Sequence, residues 1–135
     1  MPLPPKQKYV LHINDNENAQ YLVKRAIKSV QTSLMIRHVE NAIDAVDFID
    51  QAKLFNDLPC LIVMDIELTI DGQRAFEELR KDALLQAIPI VVFVSTSMDD
   101  TEIKKWSRSK IVFVPAPVKY RAFTKSIKKA LSYCS

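Results

Sequence analysis

Five short runs rich in aliphatic and β-branched residues, at 9–13, 34–39, 60–64, 90–94 and 111–114, alternate with stretches whose apolar residues recur at helical spacing. Runs of that length read as strands and the intervening stretches as helices, so the chain predicts a β-α unit repeated five times. Strands joined through a crossover helix run parallel, and a parallel sheet offers two apolar faces that helices must cover. The runs Cys60-Leu61-Ile62-Val63-Met64 and Ile90-Val91-Val92-Phe93-Val94 are continuously apolar rather than alternating, as strands buried on both faces should be.

The helices follow from spacing and caps. Asn16 is available to cap a first helix over 17–31, with Ala19, Leu22, Val23, Ala26, Ile27 and Val30 on one face. Asn41 caps a second, in which Ala42, Ile43, Ala45, Val46, Ile49 and Ala52 repeat at helical spacing. Asp71 and Gly72 turn into a third with Ala75, Phe76 and Leu79 facing inward. A fourth over 99–108 is polar except for Ile103 and Trp106, and the last covers 119–133. Residues 1–7 are proline-rich and predict an extended arm, leaving 8–135 as one domain, since 135 residues fit one core and not two.

Composition excludes several classes. With 48% hydrophobic and 26% charged residues the chain is too apolar to stay disordered. Its one glycine, Gly72, cannot write a dinucleotide GxGxxG fingerprint or a phosphate-cradling Walker loop. The net charge of +3 comes mainly from the last third, in Lys104, Lys105, Arg108, Lys110, Lys119, Arg121, Lys125, Lys128 and Lys129. Solvated helix faces account for that excess, so no direct nucleic-acid partner is expected. Cys60 and Cys134 form no CxxC pair, and no apolar run approaches the about 20 residues of a membrane span. A cytoplasmic protein without membrane contact is the expectation.

In an open parallel sheet, ligands bind beyond the carboxyl ends of the strands. Those ends deliver Asn14 and Asp15, then Asp65 and Glu67, then Ser95 and Thr96, then Pro115, Ala116 and Pro117. Asp15 and Asp65 are the kind of carboxylate pair that holds Mg2+ together with waters and a phosphate. Helix capping explains strand-end polar residues equally well, and on the residues alone both readings stand.

Four segments together resemble the receiver domain of response regulators, over about residues 9–131. Val10-Leu11-His12-Ile13-Asn14-Asp15-Asn16-Glu17 is similar to that family's first strand and acidic pair, and Leu61-Ile62-Val63-Met64-Asp65 to the strand ending in the phosphorylated aspartate. Ile88-Pro89-Ile90-Val91-Val92-Phe93 with Ser95-Thr96-Ser97 resembles the fourth strand and its switch hydroxyl, and Phe113-Val114-Pro115-Ala116-Pro117-Val118 the fifth strand and the turn after it. The resemblance implies a flavodoxin-like sheet of order 2-1-3-4-5 and Asp65 as phosphoacceptor. It implies Mg2+ on Asp15, Asp65, the Glu67 backbone and, through water, Asn14, with Ser95 or Thr96 as switch hydroxyl and Phe113 as switch aromatic. It further implies no enzyme beyond self-catalysed phosphoryl transfer. The implied partners are a sensor histidine kinase or phosphotransfer protein and a downstream protein target, with self-association through the face of the fourth helix, fifth strand and last helix.

The pattern is partly degenerate. Ala116 stands where the family has a lysine, Asn14 replaces the first aspartate of the acidic pair, and Thr69 sits near the usual loop proline. The expected function is therefore a stand-alone receiver of a two-component phosphorelay. The alternatives are a pseudo-receiver acting as a phosphorylation-independent adaptor and a small flavin-binding or enzymatic module on the same fold.

Overall fold

The computed structural model describes residues 8–14, 17–30, 33–65, 77, 86–94, 111–115 and 120–132. Five strands, β1 (Tyr9–Ile13), β2 (Met35–Val39), β3 (Leu61–Asp65), β4 (Ile90–Val94) and β5 (Ile111–Pro115), pair in parallel in the order β2-β1-β3-β4-β5. Three described helices accompany them: α1 (Glu17–Val30), α2 (Ala42–Leu54) and α3 (Tyr120–Leu131). The sheet is covered on both faces, as parallel strands require.

Alternation along the strands sorts the core into two layers. Tyr9, Leu11 and Ile13 of β1 pack with Ile62, Met64, Ile90 and Val92 against Ala45 and Ile49 of α2. Val10, Leu61, Val63 and Val91 face the other way, against Val23, Ala26 and Ile27 of α1 and Ile127, Ala130 and Leu131 of α3. A side-chain period of two thus divides strands that read as continuously apolar into two opposite contacts.

Helix α2 carries both of its stops in its own sequence. Asn41 is extended and accepts the Asp44 amide on its side chain at 2.9 Å. At the other end Asn56 adopts φ 51°, the left-handed conformation asparagine tolerates best after glycine. The Asn56 amide donates to the Lys53 carbonyl and the Asp57 amide to the Ala52 carbonyl, the paired bonds of a Schellman stop. Replacing Asn41 by alanine should cost about 1 kcal/mol. Urea unfolding at neutral pH checks this, and an unchanged midpoint would mean the cap adds nothing.

Several expectations change. Leu22 is 43% exposed and Ile43 66% exposed, although both belonged to the expected apolar faces. The buried stripe of α2 runs through Ala45, Ile49 and Ala52, and Ile43, two residues before Ala45, lies roughly 200° around the helix from it. β2 begins at Met35 rather than 34, and β3 at Leu61 rather than 60. Cys60 is half-buried, and its amide bonds the Tyr9 carbonyl at 2.9 Å. The expected arm at 1–7 and helix at 99–108 lie outside the described residues, as does the helix opening at Asp71 except for Glu77. On α3, Lys125, Lys128 and Lys129 are exposed while Ile127, Ala130 and Leu131 are buried, the pattern of a solvated outer face.

Candidate functional site

The order β2-β1-β3-β4-β5 reverses its direction of winding between β1 and β3, and such a switch point opens a crevice at the carboxyl ends of the two strands. Register decides what stands there. Ile13 pairs with Met64, so Asn14 and Asp65 follow side by side across the switch point. Asp65 in turn is level with Phe93 of β4, and Phe93 with Val114 of β5. The carboxyl rim therefore runs Asn14, Asp65, Phe93, Val114. Phe113 sits one step below it, paired with Val92.

The turn after β1 is anchored through the backbone of Asn14. Its amide donates to the Val39 carbonyl at 3.0 Å, extending the β1–β2 ladder beyond Ile13. Its carbonyl accepts from Gln20 Nε2 at 2.8 Å, tying the same residue to α1. Asp15, Glu67, Ser95, Thr96 and Ala116 lie outside the described residues. Of the expected site, the described strands therefore bring Asn14 and Asp65 together. Val94 and Pro115, the last residues of β4 and β5, are level with each other, so Ser95 and Ala116 are the residues that follow two matched strand ends.

One pair of polar residues escaped the sequence reading. His12 of β1 is fully buried and stands in register with His38 of β2. Their Nδ1 atoms are 3.2 Å apart and the rings meet edge to face at 5.2 Å. Among the described residues His12 Nε2 has no hydrogen-bond partner. Burial, and secondarily the neighbouring His38, push the His12 imidazole down to about 3, so it is neutral at physiological pH. His38 is also pushed below its usual range, first by burial and then by Lys24. The available signal was the phase of the strand: His12 is two residues from buried Val10, hence on the same face.

No family model matches the chain. A curated relative, the probable methanogenesis regulatory protein FilR2 of Methanothrix harundinacea (strain 6Ac), is 21% identical over 126 residues, spanning 92% of this chain and 81% of that one. A response regulator from Hahella chejuensis is 25% identical and superposes with a TM-score of 0.71, covering 95% of each chain. The chain has the receiver-domain fold of response regulators. Two further solved structures fit this chain comparably. The phosphorylated cyanobacterial phytochrome response regulator RcpA gives a TM-score of 0.72 at 20% identity, over 95% of this chain and 94% of its own. The Mn2+-bound form of response regulator Rcp1 gives 0.71 at 21%, over 93% and 92%. The chain has no described helix long and apolar enough to cross a membrane.

Proposed function

We propose that this receiver accepts a phosphoryl group on Asp65 and passes the signal on by binding another protein. The observation that carries the reading is that Asp65 is the last residue of β3, beside Asn14 across the β1–β3 switch point. In the proposed step an Asp65 carboxylate oxygen bonds to the phosphorus of a phosphohistidine or small acyl phosphate. The bond from phosphorus to the donor's nitrogen or oxygen breaks, and the leaving group takes its electron pair. The donor would be a sensor histidine kinase or phosphotransfer protein, and the compartment a reducing cytoplasm.

The donor set suits a hard cation. Asp15 and Asp65 would hold Mg2+ directly, the Glu67 backbone would add a carbonyl, and Asn14 would hold a metal-bound water through its amide oxygen. Bound there, Mg2+ supplies positive charge against the transferring group. With Asn14 in place of an aspartate the set carries one negative charge fewer, so its affinity is lower than that of a full acidic pair. After transfer, the hydroxyl of Ser95 or Thr96 would donate to the acyl phosphate, with Phe113 as the aromatic that responds.

Intact mass after incubation with Mg2+ and acetyl phosphate tests this. One phosphoryl group should appear on the wild-type chain and none on Asp65→Asn. Ala116, which removes the cation expected beside the phosphoryl oxygens, favours a second reading, a pseudo-receiver adaptor. An unlabelled wild type, beside a control receiver that labels in the same tube, decides for the adaptor.

A further inference from the structure

His12 and His38 meet across two neighbouring parallel strands with their Nδ1 atoms 3.2 Å apart. Two imidazole nitrogens each about 2.05 Å from one ion and separated by that distance subtend an angle of roughly 100°, close to tetrahedral. The spacing that a shared proton occupies is also the bite of a two-histidine metal site. We propose that Nδ1 of His12 and Nδ1 of His38 bind a borderline-soft divalent ion such as Zn2+, at a position separate from the carboxylates at the carboxyl rim.

The surroundings fit an ion that arrives from solvent. His12 is fully buried and fixed by the β1 backbone, so one ligand is rigid in advance. His38 is exposed on edge strand β2, so the second ligand can turn and the ion can enter past it. Among the described residues no third His, Cys, Asp or Glu completes a cluster, so the described part of the site supplies two ligands and water would complete the rest. Coordination through Nδ1 places the His12 proton on Nε2, and Nε2 lacks a partner in either tautomer. The ion therefore creates no new orphaned atom. Imidazole nitrogen selects for zinc, copper and nickel, whereas Mg2+ demands oxygen, so this pair and the acidic rim discriminate between the two kinds of ion. Lys24 of α1 lies near enough to His38 to disfavour a positive charge there, which holds the affinity down.

The test is calorimetric titration of untagged, chelator-treated protein with ZnCl2, together with thermal unfolding at each zinc concentration. Wild type should bind Zn2+ saturably and unfold at a higher temperature with it. His38→Ala, at an exposed position that leaves the core intact, should weaken binding at least tenfold and lose the thermal shift. Lys24→Gln should tighten it, and Asp65→Asn should leave zinc affinity unchanged while removing one of the two carboxylates proposed for the rim. Zinc affinity equal in wild type and His38→Ala, zinc binding lost in Asp65→Asn, or no saturable zinc binding by wild type would each overturn the proposal. Because these readouts are independent of phosphoryl labelling, failure here leaves the Asp65 reading standing.

Discussion

Replacing His12 by valine should make the protein more resistant to acid, with a gain over wild type of roughly 2 kcal/mol at pH 5. The folded chain holds this imidazole at about 3, against 6.5 in the unfolded chain. Between those values the unfolded state binds a proton that the folded state refuses. Unfolding therefore takes up a proton, and stability falls as the pH falls. The contribution is fully present above about 6.5, is lost progressively on acidification, and levels off below about 3. Valine suits a strand position and removes both the titrating ring and its Nε2, which has no partner among the described residues. Urea midpoints of both proteins at pH 7 and pH 5 decide, since other titrating groups cancel in the difference. A wild-type loss no greater than the variant's would show that His12 does not stay neutral in the fold.

The second large effect concerns the missing cation. Ala116→Lys should raise the rate of labelling by acetyl phosphate about 100-fold, the scale on which a single preorganised charge acts on a transition state. Ala116 follows β5 directly, and β5 lies two strand spacings from β3, roughly 10 Å away. A lysine side chain is long enough to cover most of that distance. In the proposed step the ammonium would meet negative charge spread over the transferring oxygens, which a bound Mg2+ would compensate only in part. The gain should vanish in the Asp65→Asn background. A time course by intact mass measures it, and equal rates in wild type and Ala116→Lys would mean that the charge comes from elsewhere, with Lys119 the nearest basic residue in sequence.

Legibility differed between the architecture and the site. The strands could be read because β3 and β4 are continuous apolar runs that no solvated element would carry, and their parallel direction followed from the connections, while the order 2-1-3-4-5 was implied by the resemblance. The place of Asp65 at the end of β3 could be read because it ends such a run. Helix faces were less certain: in a 13-residue helix of mixed apolar content, Ile43 fits an apolar repeat as well as Ala45 does, and only the packed sheet selects Ala45, Ile49 and Ala52. The histidine pair could not be read, since His12 and His38 are 26 positions apart and meet only through the β1–β2 register. No local pattern encodes a contact set by which residue of one strand faces which residue of another.

The anchoring of the first turn bears on how such a site can diversify. At position 14 the main chain makes the architectural connections, to β2 through the amide and to Gln20 through the carbonyl. Any residue but proline can make both bonds, so these two connections do not depend on which side chain stands at position 14. Substitution there, including exchange between aspartate and asparagine, can retune the electrostatics of the crevice while both main-chain bonds are inherited.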